Sequence, residues 1–206
     1  MKYDVKEKII ISDPELIKEK DLEFEKLKEK FDEKKHGSMT EEMKRNIRTV
    51  KRAKILYPLE QVFKLFINLS AKDINGNLEG FDLAEGNYYY SSKKTGENLI
   101  KVDSLEKESE FGVKLYTGDH QIHRVVHFKG NDKIAKIKLV DDCKGMETVF
   151  GLLNNYKKVS YQKSVKISFE IQILQLYIEL TDDEKYKTIL QEKIKRLQKK
   201  SKKYIY

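Results

Sequence analysis

Apolar residues between positions 14 and 31 recur at helical spacing: Leu16, Ile17, Phe24, Leu27 and Phe31 form one narrow stripe among Glu and Lys. Asp13 ahead of Pro14 marks the start, because its carboxylate can accept the free N–H groups of a first turn and proline stands where no N–H is needed. A surface helix over 12–35 follows, closed by Gly37. Ser38 and Thr40 with Glu41 and Glu42 signal a second start, after which Met43, Ile47, Val50 and Tyr57 keep helical spacing up to Pro58. That spacing predicts a helix whose opposite face is almost wholly cationic. Leu59, Val62, Phe63, Phe66 and Ile67 fit a third, buried helix, although Phe63, Leu65, Ile67 and Leu69 also alternate as a strand would.

From Gly86 the period falls to two. Strands are predicted over 87–92, 99–103, 112–116, 121–128 and 133–140, joined at Lys94-Thr95-Gly96-Glu97, Thr117-Gly118-Asp119 and Lys129-Gly130-Asn131-Asp132. A short helix over 146–156 comes next, then a strand over 163–173 in which Val165, Ile167, Phe169, Ile171 and Ile173 alternate with polar residues. Thr181-Asp182-Asp183-Glu184 opens a last helix bearing Tyr186, Ile189, Leu190, Ile194 and Leu197. The fold class is therefore α+β: N-terminal helices, a central antiparallel β meander of about five or six strands, and a C-terminal helical arm. Residues 1–37 form a charged helical segment, 38–180 the α+β core and 181–206 a basic helix.

Composition narrows the function. The 206 residues are 39% hydrophobic and 37% charged, with 12 Tyr and 9 Phe but only 10 Gly and 2 Pro, which suits a packed core rather than global disorder. The longest run without a charge is 148–156, too short to span a membrane. The N-terminal apolar run of three isoleucines is too short for a signal peptide, so a cytoplasmic location is expected. Cys143 is the single cysteine, which excludes an intramolecular disulfide. No Gly-rich phosphate loop occurs, so neither nucleotide hydrolysis nor dinucleotide chemistry is indicated, and no cofactor or metal is expected.

Charge is uneven. The net +8 divides into −1 over 1–35, +5 over 36–72, −3 over 73–142 and +7 over 143–206. An A/T-rich coding bias would inflate Lys, yet residues 44–54 hold three of the five arginines and no acid. Arg offers a planar fork for phosphate oxygens, so Lys44, Arg45, Arg48, Lys51, Arg52 and Lys54 are candidate nucleic-acid contacts. An acidic protein groove or pairing with the acidic first helix would also match them. Tyr88 and Tyr90 would share a strand face beside Lys93 and Lys94 and could stack on bases, although tyrosines also cover ordinary sheet faces. Arg196, Lys199, Lys200, Lys202 and Lys203 make a second basic contact, part of which serves the helix dipole.

A cationic helix followed by a hairpin with the Lys93-Lys94-Thr95-Gly96 tip resembles winged-helix DNA-binding domains in outline, with the helix in a groove and the tip as wing; the long meander departs from that family. His120, His123 and His127 would converge only on a helix. On a strand His123 and His127 stand about 13 Å apart and His120 points the other way. Cys143 follows two aspartates, which raise a thiol pKa. The expected function is non-catalytic binding of nucleic acid, DNA or RNA. The alternatives are a module regulating or inhibiting a larger protein or ribonucleoprotein machine, of phage or mobile-element type, and a histidine- or metal-dependent nuclease. No membrane partner is expected, and the narrow stripe over 16–31 leaves a homodimer open.

Overall fold

The computed structural model describes residues 8–33, 46–91, 99–116, 121–144 and 152–204. Its centre is one antiparallel sheet of seven strands in the order β1-β3-β4-β5-β6-β7-β2. The strands are β1 (Ile10–Ile11), β2 (Asn46–Ile55), β3 (Tyr88–Tyr90), β4 (Leu99–Glu106), β5 (Glu110–Tyr116), β6 (Gln121–Gly130) and β7 (Ala135–Lys144). Among the described residues four α-helices accompany it: α1 (Pro14–Glu33), α2 (Leu59–Ile74), α3 (Leu152–Leu180) and α4 (Glu184–Ser201). The α+β class and the meander from β3 to β7 are as the alternation predicts. At the β6–β7 turn the Asn131 side chain accepts the Lys133 and Ile134 N–H groups at 3.0 and 3.1 Å, which fixes the hairpin locally.

Residues 46–55 correct the helix expected there: they form β2, paired residue for residue with β7 from Asn46 opposite Lys144 to Ile55 opposite Ala135. Met43, Ile47, Val50 and Tyr57 mimic a helical stripe, but Ile47, Thr49, Ala53 and Ile55 supply the alternation that the ladder uses. β-Branched residues crowd a helix and fit a pleated sheet, and the partner strand decides between the two patterns. Residues 34–45 and 145–151, which carry the second start signal and the first part of the short helix, lie outside the described residues.

Residues 163–173 are the second correction, since the expected strand is the middle of α3. Val165, Phe169, Leu176 and Leu180 belong to the main core, while Ile171, Leu174 and Ile178 pack against Leu190 and Ile194 of α4. A helix clasped on two sides carries two apolar stripes, and their interleaving reads as period two. α4 is thus a packed helix rather than a free arm. The Thr181-Asp182-Asp183-Glu184 start is found, but Asp183 rather than Thr181 is the cap, its carboxylate accepting the Lys185 and Tyr186 N–H groups.

The inner face of the sheet, with Ile55, Val102, Phe111, Val126, Phe128 and Ile137, buries against α2 and α3. Phe63 and Phe66 of α2 meet Phe128 edge to face at 5.1 Å. The opposite face is divided. Over β3, β4 and β5 it is covered by α1, whose Ile17 and Phe24 pack on Tyr88, Leu99 and Tyr116. Across β6, β7 and β2 it presents a row of charged side chains.

Candidate nucleic-acid interface

Strand period sorts the cations of β2. Arg48, Arg52 and Lys54 point outward and are exposed, whereas Lys51 is half-buried on the inner side, opposite the buried Leu139. Lys51 therefore departs from the expected set because a strand, unlike a helix, sends adjacent residues to opposite faces. Lys44 and Arg45 lie outside the described residues. The outward residues of β7 and β6 complete the surface. Lys54 stands opposite Lys136, which stands opposite Lys129; Arg52 stands opposite Lys138, which stands opposite His127.

These two rows line an open depression of about 510 Å³. Arg52, Lys54, Lys129, Lys136 and Lys138 make no ion pair among the described residues, and His127 Nδ1 lies 3.0 Å from Glu110 on the neighbouring strand. Farther along β2, Arg48 stays largely exposed at 3.8 Å from Asp142. Lys129, Lys136 and Lys138 were not legible as partners of Arg52, because about 80 residues separate them in sequence and only the strand register joins them. The one local signal was their alternation with Ala135, Ile137 and Leu139.

The other expected contacts lie elsewhere. Tyr88 is fully buried beneath α1, so it is not available for stacking on a base. Its hydroxyl donates to Asp21 at 2.6 Å, the Lys101 ammonium donates to the same oxygen at 2.6 Å, and the ring packs beside Tyr116 and under Lys101. Burial, with Asp21 beside it, pushes the Tyr88 hydroxyl pKa up. Tyr90 is half-buried at the same cluster. Lys93 and Lys94 lie outside the described residues, and with 46–55 forming a strand the winged-helix outline loses its recognition helix.

Arg196, Lys199, Lys200, Lys202 and Lys203 are exposed, at the end of α4 and in the 3-10 turn Lys202–Tyr204. α3 runs along the β2 edge, where the Gln162 side chain donates to the Arg48 carbonyl and the Tyr177 hydroxyl to the Lys54 carbonyl. Lys163 lies over the Tyr204 ring at 5.4 Å, so the basic tail sits toward the Arg48 end of β2 and the depression at the Lys54 end. The structure does not bring the tail and the depression together.

His123 and His127 share one face of β6, as the strand reading requires, and His120 lies outside the described residues. His123 Nε2 is 3.1 Å from Asp103 but off the line of a hydrogen bond. Among the described residues no three His, Cys, Asp or Glu side chains come together in a metal-binding group. Cys143 is buried, and burial pushes its thiol up to about 12, with Asp141 adding to the shift.

Behind β6 and β7 lies a second feature that sequence reading missed. Arg124 donates from Nε and Nη2 to one oxygen of the fully buried Asp141 at 2.8 Å, and the Tyr161 hydroxyl donates to the other at 2.7 Å. Burial opposes the Arg124 charge, but Asp141 outweighs it and raises the pKa. The Arg124 side chain keeps 32% of its surface and lines a chamber of about 140 Å³, walled also by Phe66, Ser70, Ile100, Phe111, Val113 and Gln172 among others.

No family model and no curated protein matches the chain. Solved structures with a similar fold include CalU16 from Micromonospora echinospora, 12% identical over 73% of this chain and 85% of that one, with a TM-score of 0.46. A protein of unknown function, SA2116 from Staphylococcus aureus, is 16% identical over 64% and 93% of the two chains at a TM-score of 0.47. A START superfamily protein from Mycobacterium smegmatis is 14% identical over 63% and 93%, at 0.41. Among the described residues no helix is long and apolar enough to cross a membrane.

Proposed function

We propose that the protein binds nucleic acid without catalysis, through the cationic end of its outer sheet face. One observation carries this reading: five cations stand in direct cross-strand register, Lys54, Lys136 and Lys129 in one row and Arg52 and Lys138 in the next. Like charges directly opposite each other destabilise a sheet, so the arrangement costs stability and fits a surface kept for an external polyanion. Phosphate oxygens are suited to it, because Arg52 can bond them bidentately and the four neighbouring cations act as point charges. The exposed Arg196, Lys199, Lys200, Lys202 and Lys203 supply a second, separate contact. A triple variant, Arg52→Ala with Lys136→Ala and Lys138→Ala, tests the reading by electrophoretic mobility shift with mixed nucleic acid at low salt. Loss of the shift with an unchanged circular dichroism spectrum is expected, and undiminished binding by the triple variant overturns it.

The chamber supports a second reading, a small-molecule site. At about 140 Å³ it has the scale of an engineered cavity that admits benzene, and Arg124 in its lining brings a charged hydrogen-bond donor to the wall. Filling it with Val113→Phe removes any ligand-induced rise in melting temperature if the reading holds. The same rise in the variant refutes it.

A further inference from the structure

Resting on the nucleic-acid reading, we infer that the site is a phosphate-backbone clamp for duplex nucleic acid that is indifferent to base sequence. Three features of the depression lead there. Its described lining is all sheet: strands about 4.8 Å apart and outward residues about 6.8 Å apart along each strand set the six outward positions on three adjacent strands, and no described helix residue lines it. Base edges in a major groove are read by an element narrow enough to enter the groove, and side chains on the face of a seven-stranded sheet meet the ridges of the backbone first.

Aromatic stacking is the second consideration. Proteins that hold single strands draw about 1–3 kcal/mol per base from aromatic side chains on the binding surface. Here Tyr88 is buried, Tyr116 is covered by Phe24 with ring centroids 3.6 Å apart, and His127 is the one ring on the lining, turned to Glu110 at 3.0 Å. With stacking absent from the described lining, charge density decides between the two forms, and a duplex carries one phosphate per about 1.7 Å of axis against about 3.4 Å for a single strand.

The third feature bounds the footprint. Beyond β6 the His127 row runs into Glu110 and then Glu106, and beyond the Arg52 row the sheet presents Val50, Val140 and Val125 before the next row, in which Arg48 faces Asp142. Among the described residues that line the depression the cations are therefore Arg52, Lys54, Lys129, Lys136 and Lys138, with His127 beside Glu110. Five cations neutralising five phosphates give a plot of log affinity against log salt with a slope of about −4.5, which is a loss of about 500-fold between 50 and 200 mM.

Fluorescence anisotropy with the full chain tests this, using a labelled 20-base-pair DNA duplex, two further duplexes of shuffled sequence and each separated strand. The duplexes are expected to bind alike, all of them tighter than the single strands, with the depression contributing about −4.5 to the slope beside the share of the Arg196–Lys203 tail. Lys136→Thr with Lys138→Thr, substitutions a strand tolerates, is expected to make the slope shallower by about 2. Lys199→Ala with Lys200→Ala, away from the depression, should leave the Lys136 and Lys138 contribution intact. Single strands binding as tightly as duplexes, a tenfold preference among the shuffled sequences, or a slope unmoved by the Lys136 and Lys138 changes overturns the clamp while nucleic-acid binding stands. Absence of binding to every probe at 50 mM salt removes both.

Discussion

Asp141 is fully buried and its charge is answered from two sides, by the Arg124 guanidinium and the Tyr161 hydroxyl. A buried carboxylate that loses one donor keeps its desolvation penalty without the compensating bond. Tyr161→Phe is therefore expected to lower stability by about 1.5–3 kcal/mol, read from the urea midpoint. Arg124→Met should cost more, about 3–5 kcal/mol, and Asp141→Leu in the same chain should recover most of it, because the pair is then removed together. Asp21 makes a pH-dependent counterpart at the surface. Burial works against its carboxylate, but the donors Lys101 and Tyr88 outweigh this and hold its pKa below the ordinary 3.8. Its contribution is thus present above that value and lost as pH falls through the lower, folded one. Acid should release α1 from the sheet before the β6–β7 ladder opens, as hydrogen exchange would show, and Asp21→Asn should abolish that early step.

Across elements, the outer face of β2, β7 and β6 trades stability for charge. Lys136 sits between Lys54 and Lys129 in the ladder. Replacing it with Thr removes two like-charge pairs and adds a good strand residue, so Lys136→Thr should raise the melting temperature of the free protein while weakening duplex binding. A fall in both would mean that Lys136 supports the fold instead. α3 shows the reverse logic: Val165, Ile167, Phe169, Leu174, Leu176 and Leu180 are buried, and Val159 is its exposed apolar residue among those described. Phe169 is buried in the main core, and Phe169→Ala should cost about 3–5 kcal/mol, whereas Lys166→Ala on the exposed side should stay within about 0.5 kcal/mol.

For the whole molecule, division of labour between the sheet's two faces is the governing feature. The inner face and two helices make the core, α1 covers the β3–β5 half of the outer face, and the β6–β7–β2 half keeps its cations in the open. A ligand that binds only this folded arrangement stabilises the entire chain. Duplex at about 100 times its dissociation constant should add about 2.7 kcal/mol to the unfolding free energy, and the Lys136 and Lys138 variant should show a much smaller gain at the same concentration.

Local chemistry in the sequence determined the α+β class, the cap at Asp13, the helix start within Thr181–Glu184, the β3–β7 meander and the concentration of arginine near residue 50, because caps, turns and alternation act over a few residues. Two elements escaped it for a physical reason. Ile47 to Ile55 carries both periods, and only pairing with β7 selects the strand; residues 163–173 read as a strand because α3 is packed on two sides at once. Tertiary structure alone decided that Lys129, Lys136 and Lys138 join Arg52 and Lys54, that Tyr88 disappears under α1, and that Arg124 meets Asp141 and Tyr161. Each depends on which strand lies beside which, and that neighbour relation is set by burying one continuous core.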